Sequence, residues 1–100
     1  MFAIVVRFDL KDEAAARAFD ALLEETLAAI QDLEPSTLVY AVHRVEGAPL
    51  SRVFYELYSS RDAHAQHEST EHMRHAFAEM ERYVVNTRVE FLETPTGKGV

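Results

Sequence analysis

Residues 64–75, HAQHESTEHMRH, hold four of the chain's five histidines. Imidazoles this dense can ligate a metal, move protons near neutral pH, or cap and pack helix ends. Spacing separates these uses. On one continuous helix His64 and His75 share a face but sit about 16 Å apart along the axis, and His67 and His72 lie about 140° apart around it. No pair has the i, i+4 spacing with which two histidines on one helix share a zinc ion, and no third ligand stands at a recognisable distance. No metal is therefore expected. Ser69-Thr70 changes the geometry, because this pair suits the cap of a new helix better than a helix interior. If the helix breaks there, His67 closing one piece and His72 opening the next turn toward a common space. The apolar stripe Met73, Ala76, Phe77, Met80 and Val84 then puts His72 at its border. His67 and His72 are the expected site histidines, and His64 and His75 are expected at the surface. Capping or packing is the competing reading for the first pair.

The other chemically unusual stretch is FYELY, residues 54–58. Glu56 falls among aromatics on a strand, sharing a face with Phe54 and Tyr58. A carboxylate there needs a partner or a raised pKa. It can serve as a general base or as an acceptor in a ligand pocket. Alternatively it can pair with Arg7, Arg44 or Arg52 across a dimer.

These residues need elements to hold them. FAIVVRF (residues 2–8) has the β-branched and aromatic composition of a strand. From about Asp12 to Leu33, Ala15, Phe19, Leu22, Leu23, Thr26, Ile30 and Leu33 recur with helical spacing. Asp12 is the expected N-cap, and Pro35 forbids continuation. Residues 36–45 and 52–59 read as strands joined across Gly47 and Pro49, hence a hairpin. A broken helical stretch runs from about Arg61 to Tyr83 or Val84, and residues 86–93 form the last strand. Residues 1–93 are expected to make a single domain, with 94–100 a frayed tail. The order β-α-β-β-α-β is the ferredoxin-like α+β arrangement: a four-stranded antiparallel sheet with two helices on one face.

That architecture leaves one sheet face bare, yet the strands are apolar on both. Phe2, Ile4, Val6 and Phe8 back onto Ala3 and Val5. Phe54 and Tyr58 back onto Val53, Tyr55 and Leu57. Two helices cover one side only, so the other is expected to meet its counterpart in a second copy, giving a homodimer through the sheet face.

Composition sets the outer limits. The chain has 100 residues, of which 48% are hydrophobic and 27% charged, with a formal net charge of −7. That charge, without a basic cluster, argues against nucleic acid and anionic membranes as partners. No cysteine is present, which removes disulfides, thiolate chemistry and iron–sulfur clusters. The apolar N-terminus lacks the basic flank of a signal peptide and is too short and charged to span a bilayer. A soluble, cytoplasmic protein is expected.

The run RVFYELYSSRDAHAQHESTEHMRHAF resembles the antibiotic biosynthesis monooxygenase (ABM) domain. That family shows a strand ending in Glu-x-Trp or Glu-x-Tyr, then His, four residues and a second His. The matching positions are Glu56, Tyr58, His67 and His72. LEPSTLVYAVHRV is similar to the family's turn into its second strand, with Ser36 in place of the usual glycine, and the likeness runs from about Phe2 to Glu93. The resemblance implies a dimeric α+β barrel. It also implies a small oxygenase without metal, haem or flavin, acting with dioxygen on a quinol or hydroxylated aromatic. Glu56, His67 or His72 would be the base, and Tyr58 would orient or donate. No cofactor is implied: the chain has no tryptophan, His67 stands at the Trp position of haem-degrading relatives, and Phe77 replaces their haem-ligating histidine. The Glu-x-Tyr, His-x₄-His form is also similar to a branch containing an isomerase of a phosphorylated sugar, so proton transfer is the alternative chemistry. A non-catalytic dimeric binding or stress module is a third.

Overall fold

The computed structural model describes all 100 residues, in the order β1 (Phe2–Leu10), α1 (Glu13–Leu33), β2 (Thr37–Val45), β3 (Ala48–Tyr58), α2 (Arg61–Ser69), α3 (Glu71–Met80) and β4 (Val84–Leu92). The strands form one antiparallel sheet ordered β2-β3-β1-β4. The ferredoxin-like arrangement holds, with one change: the second helical region is two helices, so three helices are present.

Local chemistry explains each boundary. Asp12 caps α1 by accepting the Ala15 amide at 2.7 Å. The helix ends at Glu34, whose amide bonds to the Ile30 carbonyl, because Pro35 cannot follow in helical conformation. Gly47, at φ 75°, takes the left-handed conformation in the turn between β2 and β3. That turn is tighter than the sequence reading allows, so β3 begins at Ala48, upstream of the expected Arg52, and β4 likewise begins at Val84, ahead of Asn86.

Thr70 makes the break between α2 and α3. Its hydroxyl donates to the His67 carbonyl at 2.8 Å and accepts the Met73 amide at 3.2 Å. One side chain thus closes one helix and opens the next.

α1 buries Phe19, Leu22, Leu23 and Ile30 against the sheet. Leu33, expected in that stripe, is exposed, while Ile30 and Glu34 on either side of it are buried. Phe19, Phe54, Phe8 and Tyr40 meet edge-on, with centroids 5.2 to 6.1 Å apart. Edge-to-face pairs add about 1 kcal/mol each beyond the area they bury.

The alternation deduced from the strands is the one observed. Ile4 pairs with Glu56 and Phe91, and Val6 with Phe54 and Val89, all on the helix side. Val5, Tyr55 and Ala41 align on the opposite face, which no helix covers. Residues 93–100 carry no helix or strand and are exposed. No helix is long and apolar enough to cross a membrane.

Candidate active site

Between the sheet and the α2–α3 pair lies a cavity of about 640 Å³. Its lining is mainly apolar and aromatic: Ile4, Val6 and Phe54 from the central strands, Phe91 from β4, and Phe77 and Met80 from α3. α1 packs on β1 and α2 on β2 and β3, and the cavity opens beside them toward β4. The polar groups reaching the cavity are Tyr40, Glu56, His64, His67, Glu68, Glu81 and Thr87.

The break at Thr70 does what the sequence suggests. His67 and His72 turn toward a common point, and Glu34, the residue that ends α1, occupies it. Nδ1 of His67 lies 2.6 Å from Oε1 of Glu34, and Nε2 of His72 bonds to Oε2. Thr37 donates its hydroxyl to the same carboxylate at 2.7 Å. Burial pushes the Glu34 carboxyl up, but the bonds from Thr37, His72 and His67 outweigh it and hold the group below the ordinary carboxylate value.

An ionised Glu34 fixes the tautomers. It can only accept, so His67 donates from Nδ1 and His72 from Nε2. Burial pushes the His67 imidazole below its ordinary value, more than the Glu34 carboxylate raises it, so the ring is neutral at pH 7. Its Nε2 then carries a lone pair and has no protein partner. No buried side-chain nitrogen or oxygen is left unpaired, and His67 lines the cavity, so Nε2 opens onto that space. A carboxylate behind an imidazole, with the far nitrogen free, is the arrangement that orients a general base and stabilises the imidazolium it becomes.

Glu56 faces the same cavity and is 6% exposed. None of the arginines considered for it reaches it: Arg7 bonds Asp9 and Ser51, and Arg44 and Arg52 both bond Asp20. Its partner is Tyr58, whose hydroxyl donates at 2.5 Å. Burial raises the Glu56 pKa to about 7, the Tyr58 bond opposes that rise, and the nearby Glu68 and Glu34 carboxylates add to it. Burial, with Glu56 beside it, pushes the Tyr58 phenol far above its ordinary value, so it stays a donor.

Of the four expected site residues, Glu56 and His67 line the cavity. Tyr58 and His72 sit behind its wall: Tyr58 holds Glu56, and His72 holds Glu34, which in turn holds His67. Two assignments change. His64, expected at the surface, lines the cavity, packed against Phe2, Tyr58 and Phe91 with ring centroids 5.0 to 6.2 Å away. Its ring packs on Phe2, the first residue of β1, so the first turn of α2 faces the sheet. Glu34 was missed, although it stands in the LEPST segment, because a glutamate before proline reads as part of a turn. His75 is exposed, as expected. No group of three or more His, Asp or Glu side chains is arranged to hold a metal ion.

The sequence matches the family model for antibiotic biosynthesis monooxygenase over residues 1–79. The chain belongs to the ABM family. Solved structures agree with that assignment. A Caulobacter crescentus CB15 protein, named as a proposed antibiotic biosynthesis monooxygenase, is 25% identical, with a TM-score of 0.88 over 95% of this chain and 90% of that one. Rv0793 from Mycobacterium tuberculosis shares 21% identity and a TM-score of 0.86, covering 98% of each chain. PA3566 from Pseudomonas aeruginosa shares 18% identity and a TM-score of 0.83, covering 95% and 94%. These last two share the fold. No curated protein matches the chain. ABM membership supports a monooxygenase-type activity in outline and specifies no substrate. The match ends at residue 79, so Met80, Glu81 and the β4 wall of the cavity lie beyond it.

Proposed function

We propose that this protein is a cofactor-independent monooxygenase of a small quinol or hydroxylated aromatic, with His67 as the base. The observation that carries this reading is the neutral imidazole with one nitrogen held by buried Glu34 and the other free in an aromatic cavity. His67 Nε2 takes the proton of a substrate hydroxyl, and Glu34 stabilises the imidazolium. The electron-rich phenolate passes an electron to dioxygen, and the resulting radical pair joins to form a carbon–oxygen bond. Glu56, near half-protonated at neutral pH, delivers a proton to the outer peroxide oxygen. The O–O bond breaks, water leaves, and loss of the hydrogen on the same carbon gives a carbonyl. One oxygen atom ends in product and one in water, and the substrate supplies two hydrogens and all the electrons.

The uncovered sheet face supports a homodimer. Tyr55 and Val39 are exposed there beside half-buried Val5, Val53 and Leu57. Light scattering at micromolar concentration should give twice the chain mass, and a monomer would remove this assignment.

Oxygen consumption by metal-stripped protein across a panel of naphthols and quinols tests the activity. Uptake that falls about 10²- to 10⁴-fold in His67→Ala is expected. No uptake with any member would end the proposal. Two proton-transfer groups on one cavity also suit an isomerase. Solvent deuterium entering a substrate without oxygen would favour that chemistry.

A further inference from the structure

The cavity's charge is one-sided. Its lining contains Glu56, Glu68 and Glu81 and no lysine or arginine. His64 is the one lining group placed to offset them, 3.7 Å from Glu68. The other histidine, His67, is neutral. Helix direction adds to the asymmetry. α2 contributes His67 and Glu68 from its last turn, and α3 contributes Phe77, Met80 and its C-cap Glu81. Helix C-termini carry partial negative charge, the opposite of an anion-binding N-terminus. From the N-terminal half of either helix only the His64 side chain reaches the cavity. A protein of net charge −7 reinforces the same field at longer range.

We propose that this cavity selects by charge: it takes an uncharged or cationic aromatic ligand and rejects one bearing a carboxylate or phosphate. The assignment rests on the aromatic-substrate reading above and narrows it. An anionic group would leave water for a site offering carboxylates and an apolar wall, with no lysine or arginine to replace its hydration. A neutral ring system meets Phe54, Phe77 and Phe91 without that cost. An ammonium group on the ring would reach the carboxylates of Glu68 and Glu81. A phenolate formed during turnover is different, because it arises beside the imidazolium of His67 and is paired from the moment it forms. Phosphorylated sugars are disfavoured by the same field.

Anaerobic calorimetric titration of the full chain with three probes tests this: naphthohydroquinone, its carboxylate derivative and its aminomethyl derivative. The neutral and ammonium probes should bind at least about tenfold more tightly than the carboxylate, the ratio that corresponds to about 1.4 kcal/mol. The gap should shrink as salt is raised. In the Glu68→Gln, Glu81→Gln double variant, which alters exposed positions, it should narrow to within about threefold. A carboxylate that binds wild type as tightly as the neutral probe would overturn the proposal, as would a gap unchanged in the double variant. Admitting oxygen afterwards separates the two readings. Selective binding of the neutral probe without oxygen uptake leaves the charge selection standing and removes the oxygenase. Failure of all three probes to bind removes both.

Discussion

Arg52 and Glu56 sit four residues apart on the same face of β3, both almost wholly buried, and they have opposite fates. Arg52 makes a two-pronged ion pair with Asp20 of α1, at 2.9 and 3.0 Å, and its third nitrogen donates to the carbonyls of Pro49 and Ser51. Four of its five N–H donors are used, and the charge is neutralised where it stands. Glu56 has a single neutral donor, Tyr58, and no cation. The first charge is fixed, and the second is left free to change. The strand therefore carries a structural end beneath α1 and a reactive end beneath α2 and α3.

Removing each charge should expose this difference. Arg52→Ala leaves Asp20 with only the exposed Arg44 and a void in the core, so unfolding in urea should show a loss of about 3 kcal/mol. Activity per folded molecule should be nearly unchanged. A loss under about 1 kcal/mol would show that the ion pair merely breaks even.

Next in size is the pH dependence of stability. Glu56 has a folded pKa of about 7, above its value of 4.5 in an open chain. Its protonation therefore favours the fold fully below about pH 4.5, and that contribution is lost as pH rises through about 7. The full span is at most about 3 kcal/mol. Glu34 has the opposite sign: its pKa is lowered, so its contribution is present above 4.5 and lost as pH falls below the folded value. In Glu56→Gln the decline between pH 5 and pH 8 should flatten, as followed by urea midpoints. Equal slopes in the two proteins would mean that Glu56 does not titrate in the folded state.

The same Glu56→Gln change should lower turnover about 10²-fold at pH 7, with stability at pH 6 altered by less than about 1 kcal/mol. That is the reverse of Arg52→Ala. Smallest is Tyr58→Phe, which deletes the one donor to Glu56. Because that bond lowers the Glu56 pKa, its loss should move the corresponding limb of the pH–rate profile upward by about one unit. A profile that stays in place would assign Tyr58 to packing alone.

How much of this could be read from sequence depends on the range of the signal. The strands and α1 were legible because their patterns are local and periodic, and so was the break at Thr70, because capping chemistry is local too. Glu56 announced itself as a carboxylate within an aromatic strand. Its partner Tyr58, two residues away on the same face, followed from the strand period. Glu34 did not, since its meaning comes from His67 and His72, which lie 33 and 38 residues away. His64 was misplaced for a related reason. α2 buries only Ala63 and His67, so it offers no apolar stripe from which its inner face could be deduced. Which charges surround the cavity was hidden entirely, because it depends on where two helices end in space.

Glu34 has a further consequence for how the molecule holds together. Its carboxylate joins the end of α1, the start of β2, the last turn of α2 and the first turn of α3. One buried carboxylate that ties four elements together means that local opening of any of them unpairs a histidine, even where the sheet stays formed. A variant weakened anywhere in the domain should then lose the downfield imidazole N–H resonances of His67 and His72 while its far-ultraviolet circular dichroism still looks native. These two protons make the reactive centre its own reporter of whether the fold is complete.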